Sequence, residues 1–139
     1  QDPDVNARPI VRADCLKFVY TFRNQFTVEH LSALMPLLIT HLGSEHAVVQ
    51  TYAAMTIERF LVVKDKREGQ RPVNRFGKDR LAPFLEPLFA ALFKVPWYDG
   101  ENDNMMKAVM RALDTAQELV VPVTQVTLSL LCEFNVCVC

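Results

Sequence analysis

The sequence predicts an all-α fold of about three helix pairs, stacked as repeating units that cover one another. Three observations carry this. The stretch AVVQTYAAMTIERFLVVK, Ala47 to Lys64, is apolar round nearly its whole circumference at 3.6 residues per turn. Such a helix must be covered on several sides. The second helix of each pair carries a similar phrase: Pro36-Leu37-Leu38, Pro87-Leu88-Phe89 and Pro122-Val123-Thr124. Finally, 50% of the 139 residues are hydrophobic, somewhat rich for a soluble domain. That fits units whose faces are buried by neighbours rather than by themselves. Helix pairs repeating every ~40–47 residues mark HEAT or armadillo arrays, an α-α superhelix. A closed six-helix bundle is the alternative arrangement.

The pairs are expected at about residues 9–43, 46–95 and 104–134. The first helix, Pro9 to Phe26, opens on a proline suited to the first turn. Ile10, Ala13, Leu16, Val19, Tyr20 and Phe22 supply its apolar surface, with Asp14, Lys17, Thr21 and Asn24 on a polar strip. Thr27 reads as the N-cap of the second helix, with Leu31, Leu34, Leu38 and Leu42 as its buried stripe. Gly43 is its C-terminal stop. Pro36 inside it predicts a kink.

In the central helix, Gln50, Thr51, Glu58 and Lys64 form a narrow wetter strip, while Arg59 falls among Val48, Tyr52 and Met55. A covered charge needs a partner. Arg59 is therefore expected inside the array, paired with a carboxylate or with helix-end carbonyls. Val49, Ala53, Met55 and Phe60 are expected among the most buried residues. Asp65 to Lys78 is an irregular stretch punctuated by Gly69, Pro72 and Gly77.

The fourth helix runs roughly from Asp79 to Val95, through Leu81, Phe84, Leu85, Leu88, Phe89 and Leu92. After the loop PWYDGENDN, the fifth spans Asn104 to Val121 and is the cleanest amphipathic pattern. Lys107, Arg111, Asp114 and Glu118 share one arc, against Met106, Val109, Met110, Leu113, Ala116 and Val120. Arg111 and Asp114 make a modest surface pair. Pro122 ends this helix, and the Val- and Thr-rich VTQVTLSLLCEF is read from its context as a sixth. Residues 132–139 stand apart as an atypical tail.

The 15 Lys and Arg nearly balance the 16 Asp and Glu, so overall charge predicts attraction to neither nucleic acid nor membrane. No apolar run approaches the ~18 residues of a membrane span, and the start QDPDVNARP is polar, unlike a signal peptide. A chain opening on Gln is expected to be an internal fragment of a longer protein. Of four Cys, Cys15 sits alone on a helix while Cys132, Cys137 and Cys139 crowd the tail. Without secretory signs this favours a reducing compartment over a disulfide framework. The tail spacing also lacks the second ligand pair of a zinc site. Cys15 itself reads as a small core residue.

Chemistry-bearing patterns do not emerge. The four Gly are scattered and form no phosphate loop. His30 and His41 lie three turns apart on one helix, too far for one ion. Ser44 and Ser129 fall in cap or helix contexts with no nucleophile elbow. The reading is a non-enzyme with no catalytic, cofactor or metal residues. The most charged place follows the central helix: Lys64, Lys66, Arg67, Arg71, Arg75, Lys78 and Arg80 stand against Asp65, Glu68 and Asp79, a local excess of four positive charges. The bland reading is a solvated connector. The sharper one is a contact patch for an acidic protein surface, since such patches steer association. Nucleic acid fits less well, because Phe76 alone is too little for a stacking platform.

The wording of the helices adds a resemblance. NARPIVRADCLKFVYTFRNQF, EHLSALMPLLITHL, VVQTYAAMTIERFLVV, LAPFLEPLFAALF and MMKAVMRALDTAQE resemble, in order, consecutive central helices of nuclear export receptors in the importin-beta superfamily. The match runs from about Pro9 to Leu131, and five helices in the right order are specific where one would not be. The resemblance implies a central segment of a long HEAT superhelix found in nucleus and cytoplasm, with importin-alpha and GTP-bound Ran as partners of the full-length receptor. No residue here matches a known contact with either. The tail CEFNVCVC departs from the continuation expected of the family. A HEAT adaptor with another cargo is the alternative. End units without polar caps (Leu16, Val19 and Phe22 at one end; Val126, Leu128, Leu130 and Leu131 at the other) lead one to expect self-association of the fragment.

Overall fold

The structure, a computed structural model, describes residues 4–65, 72–94 and 103–119. Its helices are α1 (Pro9–Phe22), α2 (Val28–Leu42), α3 (Ala47–Val62), α4 (Lys78–Leu81), α5 (Leu85–Lys94) and α6 (Asp103–Ala116). Short 3-10 turns extend α1 (Arg23–Gln25), join α4 to α5 (Ala82–Phe84) and follow α6 (Gln117–Leu119). One small antiparallel pairing sets β1 (Lys64–Asp65) against β2 (Val73–Asn74). The fold is therefore all-α and of the HEAT type, as expected. The sixth predicted helix and the tail 132–139 lie outside the described residues.

α3 is the hub, packed against α1 on one flank, α6 on the other and α2 behind. α2 also meets α5, and α4 and α5 meet α6. Two layers result, with α1, α3 and α6 in one and α2, α4 and α5 in the other. Contact groups α2 with α3 and α4–α5 with α6, whereas α1 meets α3 far more than its chain neighbour α2. Residues 43–46 are a connection short enough to fold α2 back on α3.

The composition of α3 suits its place. Ala53 and Ala54 are fully buried and let neighbouring backbones come close, while Val49, Ile57, Phe60 and Leu61 fill the space between helices. Thr56 is also buried; its hydroxyl donates to the Tyr52 carbonyl at 2.6 Å and reaches that of Leu16 in α1 at 3.4 Å. Val49, Ala53 and Phe60 are buried as expected, but Met55 is only half-buried. One side is left open: Val48 and Arg59 are exposed, with Tyr52 and Met55 beside them half-buried. A helix inside a layer has neighbours on its flanks and behind it, and its front stays open.

Arg59 consequently departs from expectation. It is paired, its Nε 3.0 Å from Glu58, but its side chain is 45% exposed. Glu58, expected on the wet strip, is the covered partner at 14% exposure, and it also faces Arg111 of α6 at 3.7 Å. The expected Arg111–Asp114 pair forms at 3.8 Å.

α2 starts as anticipated. The Thr27 hydroxyl accepts from the His30 N–H at 3.5 Å, and His30 Nδ1 accepts from the Thr27 N–H at 3.4 Å. This is a capping box with histidine where Glu or Gln is usual. α2 runs through Pro36 as one continuous helix and ends at Gly43, whose φ of −83° is open to any residue. In α1, Ala13 and Leu16 are buried, while Ile10, Val11, Phe18 and Phe22 are exposed. Cys15 is exposed too, which corrects its reading as a core residue. The predicted fourth helix breaks into α4, a turn and α5, because Pro83 lacks the N–H that would continue the ladder. On α6 the buried face is Met105, Ala108, Val109, Ala112, Thr115 and Ala116; Met106 and Met110 of the expected apolar arc face solvent.

Candidate protein-contact surface

The charged stretch after α3 is only partly a solvated connector. Phe76 is fully buried and stacks on Phe84 with ring centroids 6.3 Å apart. Arg75 beside it is 17% exposed, and its Nε donates to Asp65 Oδ1 at 2.7 Å. Its Nη1 donates to the carbonyls of Asn24 at 3.0 Å and Phe26 at 2.7 Å. Those carbonyls end the turn after α1 and lack helical partners. Arg75 thus braces the returning strand against the end of α1, rather than offering itself to a partner.

The remaining predicted contact residues divide. Lys64, Lys78 and Arg80 are exposed, and Lys66, Arg67 and Arg71 lie outside the described residues. Arg80 acts toward α2: with the Thr27 hydroxyl as the larger cause, then the backbone N–H of Glu29 itself, its charge helps hold the Glu29 carboxyl below the usual carboxylate value. Lys64 lies elsewhere, at the rim of a shallow open pocket of about 450 Å³ lined by Arg23, Asn24, Val62, Val63, Lys64 and Arg75. Arg23 was missed in the sequence because it reads as the polar end of a helix. Its Nη1 donates to the Tyr20 carbonyl at 2.9 Å and its guanidinium lies 5.3 Å from the Tyr20 ring centre.

Among the described residues no group of three His, Cys, Asp and Glu could hold a metal ion, and no helix is long and apolar enough to cross a membrane. Among them His30 caps α2. His41 Nδ1 lies 2.6 Å from the Leu37 carbonyl, which requires a proton there and leaves Nε2 to accept from Arg12 at 3.1 Å.

A two-layer helical array with charges at its helix ends is a helical-repeat scaffold, an architecture that nuclear transport receptors share with proteins of other functions. The chain belongs to the CAS/CSE family of those receptors: the Cse1 model matches residues 1–57, and the model for the CAS/CSE protein C-terminus matches residues 58–139. Exportin-2 of Mus musculus and of Homo sapiens are each 40% identical to it over 135 residues, 92% of this chain. Exportin-2 of Danio rerio is 38% identical over 124 residues. The chain spans 14% of the length of the mouse and human proteins.

Proposed function

We propose that this chain is a stretch of a nuclear export receptor that carries importin-alpha from nucleus to cytoplasm together with GTP-bound Ran. It serves as a non-catalytic protein-binding scaffold without a cofactor. The observation supporting this is 40% identity to Exportin-2 across 92% of the chain, on a backbone that stacks in two layers. A superhelical receptor binds by wrapping, so its affinity is spread over distant repeats that act together through their covalent linkage. The 139 residues alone then hold too short an arc to capture cargo.

The test is capture on immobilised importin-alpha with GTP- or GDP-loaded Ran, comparing this chain with the longer receptor that contains it. The longer receptor is expected to bind with GTP-loaded Ran and not with GDP-loaded Ran, and the 139 residues to bind with neither. A longer receptor indifferent to importin-alpha and to the nucleotide on Ran would overturn the proposal.

A further inference from the structure

The pocket where α1 and α3 end carries more positive charge than its own structure uses. Arg23, Lys64 and Arg75 line it. Against their three full charges stand Asp65, bonded to Arg75, and the carbonyl ends of two helices, each worth about half a negative charge. Among the described residues about one positive charge is left over. Lys64, exposed on β1, forms no ion pair among the described residues. Beside these cations the pocket is lined by Asn24, Val62 and Val63; Val63 is buried, so its apolar side-chain surface comes from the half-buried Val62. The whole chain carries a net charge of −1, so any attraction for an anion must be local.

We propose that this pocket seats one glutamate or aspartate side chain from an acidic segment of a partner protein. Its openness suits a side chain presented from another surface, whereas a free anion would remain hydrated there. Val62 matches the methylenes of such a side chain, and Lys64 with Arg23 matches its carboxylate. The proposal stands apart from the transport reading, since it names a chemistry rather than importin-alpha or Ran.

The test is fluorescence anisotropy with a labelled octaglutamate peptide at low ionic strength. Lys64→Glu should weaken binding by at least about tenfold, about 1.4 kcal/mol. Lys107→Glu, the same charge change at an exposed position of α6, should leave it nearly unchanged. Lys64→Gln, which only removes charge, should weaken it about threefold, and keeps the question open to test if the reversal fails to fold by circular dichroism. Equal loss in the Lys64 and Lys107 variants would reveal bulk electrostatics and overturn the site. So would complete competition by equimolar inorganic phosphate, which marks a free-anion site, or tighter binding of a single-stranded oligonucleotide than of the peptide.

Discussion

Arg59 and Phe60 are adjacent in sequence and lie on opposite sides of the solvent boundary, so truncation should affect them very differently. Arg59 is 45% exposed and paired with its own neighbour, an arrangement worth little after solvent screening. Arg59→Ala should change stability by no more than about half a kcal/mol. Phe60 is fully buried, and Phe60→Ala should cost about 3–5 kcal/mol through lost transfer energy and the cavity left behind. Urea unfolding of the two variants measures both; a loss above ~2 kcal/mol at Arg59 would show its charge to be covered after all. Arg75 is the third informative residue. It holds one carboxylate and two backbone carbonyls, so Arg75→Ala should cost about 1.5–3 kcal/mol. Arg75→Lys should recover little, since an ammonium cannot reproduce the guanidinium fork. Hydrogen exchange at the Arg75 amide, which donates to the Val63 carbonyl at 2.7 Å, should quicken in both variants.

At the level of elements, α2 is set by its two ends. Thr27→Ala removes the acceptor for the His30 N–H and should cost about 1 kcal/mol. The same hydroxyl is the largest cause of the lowered Glu29 pKa. A carboxyl whose folded pKa is depressed stabilises the fold above its unfolded pKa, and that contribution fades as pH falls through the folded value. Thr27→Ala should therefore return the Glu29 titration, followed by NMR, toward the ordinary carboxylate value and flatten the acid limb of stability. No upward movement would remove the hydroxyl from the account. At the other end Gly43 has a negative φ, and an added Cβ would lie 3.5 Å from the Thr40 carbonyl oxygen, an ordinary contact. Gly43→Ala should accordingly be neutral or stabilise by up to about 1 kcal/mol, by restricting the unfolded chain. Marked destabilisation by the same urea measurement would mean that α2 ends in a conformation only glycine tolerates.

For the whole molecule, the consequence of stacking lies on the free flank of α1. Val11, Cys15, Phe18 and Phe22 are all exposed, and the spacing i, i+4, i+7, i+11 lines them along one face. The Phe18 and Phe22 rings lie 4.6 Å apart, an aromatic patch with no partner among the described residues. In an array, the flank of a layer helix is where the adjoining unit packs. The isolated chain should therefore self-associate as concentration rises, and Phe18→Lys combined with Phe22→Glu should shift it toward monomer in sedimentation velocity. A wild-type chain that remains monomeric throughout would refute this. The sequence places Leu16 and Val19 on this flank too, but Leu16 is buried and Val19 half-buried against the core.

Among the described residues most helices and their boundaries were legible in the sequence because their signals are local. Pro9 in a first turn, Thr27 as a cap and the 3.6-residue period act over a few residues and need no neighbour. The family was legible too, since the order and wording of five helices survive without coordinates. What the tertiary structure decided is which side of each helix is covered. Met105 rather than Met106 on α6, and Glu58 rather than Arg59 on α3, face inward because α3 and α6 pack against one another along those positions. Arg75 gained its structural role only when the chain returned to the end of α1, 49 residues from Phe26, and Phe76 gained its own when it met Phe84. The pocket joins Arg23 to Lys64 for the same reason. Local propensity carries no information about which distant segments will meet, and the packing of α1 against α3 is what brings those charges together.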